Sequence, residues 1–191
     1  MITRIGIGGL RLGGRAFVTL LLLLVLSNAA QAQTDPSNVP QPPTDALARL
    51  KPFLGTYTVT GNYAGQEWAG TIDVRPAVKG WYVEWEINVH SGPIDRQLLL
   101  LMTWDREKEQ YRIWRFETQD QVSKPEGTGK FSADEFLMEW AMPAPDGEPG
   151  IFRNRVTMED ADTLVIVSEG ERASSKGKAQ RIGVFTARRR L

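Results

Sequence analysis

The sequence predicts an all-β fold: an antiparallel up-and-down barrel of about ten strands with a short N-terminal helix. Two observations carry this. From Gly55 onward, apolar and polar residues alternate with period two, interrupted by turn-forming clusters at the roughly 8–12-residue spacing of all-β domains. No long helical stretch separates these segments, which disfavours parallel crossovers and makes a meander the simplest topology. An open meander leaves two unpaired edges and closure removes both, so a barrel is expected ahead of a sandwich, which the alternation alone also allows.

Residues 1–32 are expected to be a cleaved signal peptide. Arg4, Arg11 and Arg15 form a basic start with no acidic residue, and Ala16–Ser27 is an apolar run. That run is shorter than the about 20 residues a stable membrane span requires. Ala30 and Ala32 supply the small residues a signal peptidase reads, which puts cleavage after Ala32 and the mature protein in the periplasm or outside the cell. An uncleaved anchor is the alternative. Residues 33–45 carry Pro36, Pro40, Pro42 and Pro43 with few apolar residues and read as a flexible linker.

The barrel domain is assigned to residues 46–191. Leu47, Leu50 and Leu54 recur at helical spacing, with Thr44 or Asp45 available as a cap and Pro52 limiting the helix to one or two turns. Tyr57, Val59 and Tyr63 then alternate with threonines and Asn62, and Trp68, Ile72 and Val74 with Glu67, Thr71 and Asp73. In "WYVEWEINVH", Trp81, Val83, Trp85, Ile87 and Val89 share one face, while Glu84, Glu86, Asn88 and His90 share the other. "IDRQLLLLMTW" is apolar on both faces at its centre, and "DREKEQ" turns it into "YRIWRFET". A looser region, "QDQVSKPEG", precedes a short strand at Thr128–Ser132. Phe136, Met138, Trp140 and Met142 form one face of the next strand, and "APDGEPG" is a strong turn before three final strands. The helix is expected to plug one barrel end with Leu47, Leu50 and Phe53.

Composition narrows the chemistry. With no cysteine there is no disulfide, thiolate ligand or cysteine nucleophile, and no lipid-anchor cysteine at the cleavage point. Beyond residue 32 all 23 acidic residues stay and three of the 23 basic ones are lost, so the net charge is −3 and nucleic acid has no electrostatic support as a partner. His90 is the single histidine and reads as a solvated strand-end residue, so neither a metal or haem site nor a Ser-His-Asp triad is assigned. No cofactor is assigned. Glu84 and Glu86 are expected to keep an outer face wet. Arg153 and Arg155 are expected outside, with Phe152, Val156 and Met158 inward, because burying unpaired guanidinium groups is costly. "GTGK" (Gly127–Lys130) lacks phosphate-loop spacing and reads as a turn.

"LARLKPFLGTYTVTG", "KGWYVEWEI", "LMTWDREKEQYRIW" and "RIGVFTARR" occur in an order that resembles a family of uncharacterised exported bacterial proteins defined by a domain of unknown function. The resemblance covers about residues 46–190. Its members look like lipocalin and fatty-acid-binding barrels, which carry a Gly-x-Trp on the first strand; here the position reads Gly55-Thr56-Tyr57. In lipocalins that tryptophan packs on an arginine of the last strand, and the resemblance makes Arg188 the candidate. It implies a lipocalin-like architecture and no particular chemistry.

The expected site is the aromatic face: Tyr57, Trp68, Trp85, Met102, Trp104, Met138 and Trp140 as the lining of an apolar cavity for a small apolar or amphipathic molecule. The same residues could instead fill a core. No catalytic residue is assigned. An enzyme reading would need a carboxylate facing the cavity, and an interaction module would need an exposed apolar patch. A membrane-inserted barrel is disfavoured by Asp73, Arg75, Glu84, Glu86 and Asn88 opposite the tryptophan face.

Overall fold

The computed structural model describes residues 41–118, 126–143, 147–175 and 177–190. The expected signal peptide, most of the expected linker, residues 119–125 of "QDQVSKPEG" and residues 144–146 of "APDGEPG" lie outside the described residues. A helix α1 (Thr44–Ala48) and a 3-10 turn (Lys51–Phe53) lead into ten strands: β1 (Gly55–Tyr63), β2 (Gln66–Ala77), β3 (Tyr82–Ser91), β4 (Ile94–Asp105), β5 (Gln110–Glu117), β6 (Glu126–Ser132), β7 (Glu135–Ala141), β8 (Gly150–Met158), β9 (Thr163–Arg172) and β10 (Gln180–Arg189).

Every neighbouring pair is antiparallel and consecutive in sequence, and β10 returns to pair with β1, closing the barrel. The sandwich alternative is thereby excluded. Closure works because the period-two pattern never slips across the seam: Tyr57 faces Arg189, Val59 faces Ala187 and Gly61 faces Phe185. The first hairpin is set by Ala64 and Gly65, whose φ angles of 51° and 81° give the turn a twist that matches its strands.

One end of the barrel is closed as expected. Leu47, Leu50 and Phe53 are buried. Phe53 lies 5.9 Å from Trp85 and 6.1 Å from Phe136, ring centre to ring centre. Tyr111 stands edge-on to Trp104 at 5.0 Å and to Phe136 at 5.2 Å. Two phenols fasten the plug to the barrel: the Tyr57 hydroxyl donates to the Phe53 carbonyl at 3.0 Å and the Tyr111 hydroxyl to the Ala46 carbonyl at 2.7 Å.

Four details depart from the sequence reading. Pro43, not Thr44 or Asp45, precedes the helix, and no side chain caps it. Trp81 ends a 3-10 turn (Val78–Gly80) and the strand starts at Tyr82, because Val78, Lys79 and Gly80 all take positive φ and reverse the chain there. Gly127–Lys130 lie inside β6 and form no turn. The pairing favours a strand because Gly127 sits opposite Trp140: a Cβ on Gly127 would come within 2.4 Å of the indole. Finally, Arg189 takes the place expected of Arg188. Period two puts Arg189 beside Tyr57, with its guanidinium 5.0 Å from the ring centre, while Arg188 points out. Arg189 also donates to the Leu54 and Pro52 carbonyls and to the Asp162 carboxylate, tying plug, first strand and last strand together.

Candidate functional site

Away from the plug, the barrel is hollow. A cavity of about 130 Å³ is walled by apolar side chains including Val59, Ile72, Ile87, Leu100, Phe152 and Ile166, together with Trp68, Trp85, Met138 and Trp140. It reaches the rim residues Tyr63, Val89 and Arg96.

Of the seven residues read as a lining, all lie on the inner face, and the structure divides them. Trp68, Trp85, Met138 and Trp140 border the cavity. Tyr57, Met102 and Trp104 belong to the packed half near the plug: Tyr57 and Met102 are fully buried, and Trp104 packs on Tyr111. The break between the halves follows from chain supply, because the plug inserts Phe53 and its leucines at one end only.

The other sequence candidates lie outside. Glu84 and Glu86 face outward and both accept from Arg75, which also pairs with Asp73 at 2.6 Å. Arg153 bridges Glu139 at 2.7 Å and Glu171 at 2.5 Å, and Arg155 bridges Glu169 at 3.0 Å and Glu135 at 3.3 Å. His90 is exposed and borders a shallow outer groove with Asn62 and Ser91. The pairs of Arg75 and Arg155, with side chains 47% and 44% exposed, are solvent-screened and contribute little each.

Sequence reading missed the polar part of the cavity. Arg96 and Arg115 both line it, and no Asp or Glu does. Arg115 forms an ion pair with Glu117, which also lies 3.6 Å from Arg96. The Glu117 side chain is only 7% exposed and that of Arg115 12%, whereas Arg96 keeps 37% and meets solvent at the rim. Arg96 lies over the Trp68 ring at 5.2 Å. Ser168 donates to Asn154 across the wall at 2.8 Å. Tyr63 completes the rim; burial raises its pKa, an effect opposed by Arg96 and Arg115, so the phenol stays protonated at neutral pH. The signal for this cluster was the period-two rule carried four residues further. Tyr111 and Ile113 face inward, so Arg115 and Glu117 must follow them.

The buried side-chain nitrogens and oxygens without a partner, among the described residues, are Trp68 Nε1, Trp85 Nε1, Trp140 Nε1 and Arg96 Nε. All four are donors, and all four residues line the cavity. Buried donors are ordinarily paired, so their concentration in one place is informative.

No family model and no curated protein matches the chain. Solved structures do resemble it in fold. Rv2717c from M. tuberculosis aligns with TM-score 0.55 at 13% identity, over 76% of this chain and 98% of that one. The S-type phycobiliprotein lyase CPES from Guillardia theta aligns with TM-score 0.53 at 13% identity, over 76% and 93%. At this identity the likeness is one of architecture, and the chain is a lipocalin-like barrel.

Proposed function

We propose that the protein binds a small, mostly apolar molecule non-covalently in the hollow half of the barrel, against Trp68, Trp85, Met138 and Trp140. The observation that supports this is the contrast in the interior: one half is packed, and the other holds a cavity of about 130 Å³ lined by residues that carry unpartnered buried donors. A cavity of similar size in another protein holds one benzene ring. The similarity to the phycobiliprotein lyase is one of fold and leaves the guest open. We further propose that the protein works outside the cytoplasm, on the strength of the leader alone; N-terminal sequencing of the native protein should then begin at Gln33.

A tryptophan-quenching titration with ring compounds and fatty acids, beside native mass spectrometry of the protein from its own compartment, tests the binding reading. Ile87→Trp fills the cavity from its wall and should abolish saturable quenching while the barrel stays folded. Unchanged quenching in that variant would place the binding elsewhere.

An enzyme reading gains no cavity carboxylate from Glu84 and Glu86, which lie outside with Arg75. An interaction module keeps one observation in its favour. Leu101 faces Trp114 on the outer side and Tyr82 lies 5.9 Å from the Trp114 ring, which makes an apolar strip across β3–β5. The strip is half-buried, and Val78 is the exposed large apolar side chain among the described residues. Sedimentation of wild type and Leu101→Lys decides whether the strip joins copies.

A further inference from the structure

The polar inventory of the cavity specifies the guest's chemistry more narrowly than its apolar wall does. This inference rests on the binding reading above. The wall offers two guanidinium groups and a protonated phenol, and the unpartnered indole nitrogens belong to tryptophans of the same wall. No carboxylate lines this wall: Glu117 lies behind it, held by Arg115 with Arg96 beside it, and Asn154 Oδ1 accepts from Ser168. One carboxylate set against two guanidinium groups leaves a net charge of +1. The surplus charge belongs to Arg96, whose side chain is 37% exposed at the mouth of an apolar cavity, a position that attracts an anion.

Two of these residues are neighbours at the rim. Arg96 stacks on Trp68, so the unpaired Arg96 Nε and Trp68 Nε1 belong to side chains in direct contact at the rim. Arg96 is held loosely, at 3.6 Å from Glu117, beyond hydrogen-bond reach. The Trp140 nitrogen, in contrast, lies against Gly127 in the wall, so it is not counted with them.

We propose that the guest is a small organic monoacid about one ring in size. Its carboxylate sits at the rim between Arg96, Arg115 and Trp68, and its apolar body lies inward against Trp85 and Trp140. Glu117 sets the charge: it cancels one arginine and leaves room for one negative charge only.

Phenylacetate, phenylacetamide and toluene share a ring and differ in the head group, so calorimetric titration of the mature protein with each isolates the proposal. Phenylacetate should bind at least about tenfold tighter than the amide, the worth of a charge-assisted hydrogen bond. Arg96→Gln should bring the acid down to the level of the amide; it keeps the Arg115–Glu117 pair, so it is the variant that decides. Glu117→Gln, checked for folding by circular dichroism, should tighten acid binding. Equal affinity of acid and amide overturns the inference while the binding reading stands. Decanoate binding more tightly than phenylacetate overturns the size assignment. Failure of all four compounds to bind removes the binding reading and the inference with it.

Discussion

The plugged half and the hollow half of this barrel use the same kinds of residue to different ends. In the plugged half each buried polar group given has a partner: the Tyr57 and Tyr111 hydroxyls reach carbonyls of the plug, and Arg189 reaches two more. Its rings touch one another, with Phe131 and Phe136 at 4.8 Å. In the hollow half three indole nitrogens and one guanidinium nitrogen have none, and the rings border space. A leftover donor is a cost in folding, of about 1–3 kcal/mol when fully buried. Retaining several at one place makes physical sense where something else satisfies them. The contrast separates residues that hold the barrel from residues proposed to hold a guest.

Substitutions in the plugged half should therefore register as stability. The largest effect is expected from Phe136→Ala, which empties a site in contact with Phe53, Tyr111 and Phe131 and should cost about 3–5 kcal/mol in urea unfolding. A loss below about 1 kcal/mol would show that this half is loosely packed and would dissolve the contrast. Next comes Arg189→Gln, which strips the tie between plug and seam and should cost about 1.5–3 kcal/mol. Arg188→Gln, on the exposed neighbour, should stay within about 0.5 kcal/mol. An equal cost for both would mean that the seam is held by charge rather than by the bonds Arg189 makes.

That pair also shows how far the sequence could be read. Alternation located ten strands and the inward faces of β1, β2, β3, β7 and β8, because strand periodicity is a property of the backbone alone. It assigned Tyr57 inward correctly, yet Arg188 was chosen over Arg189 by resemblance, although period two from Phe185 and Ala187 already pointed to Arg189. Which part of the aromatic face is hollow was not legible. It depends on how deep the plug reaches, and that is set by Phe53 meeting Trp85 and Phe136 across residues far apart in the chain. Glu117 and Arg115 were overlooked for another reason: inward charges run against the pattern that identifies a core, so they are found only by following the register to the strand's end.

Gly127→Ala probes the boundary between the halves. The new methyl would meet the Trp140 indole at 2.4 Å, and Trp140 can yield only toward the cavity. A cost of about 1–3 kcal/mol is expected in a fully packed interior. Here the hollow gives the ring somewhere to go, but the methyl also comes within 2.6 Å of the Glu139 carbonyl oxygen, so the cost should stay within that range and be accompanied by weaker guest binding. Loss of stability with unaltered binding would place Trp140 among the barrel-holding residues.

The smallest stability effect is expected where the binding effect is largest. Arg96 has a side chain 37% exposed, a 3.6 Å approach to Glu117 and an unpartnered Nε, so its contribution to folding should be slight. Arg96→Gln removes a partly exposed charge and leaves Glu117 with its partner Arg115. Unfolding free energy should move by no more than about 0.5 kcal/mol. The two halves then differ in kind: a guanidinium at the seam is worth several times more to the fold than one at the rim. If Arg96→Gln instead destabilised the barrel as much as Arg189→Gln, Arg96 would be a structural residue with an incomplete set of bonds, and the rim would lose its claim to be a binding site.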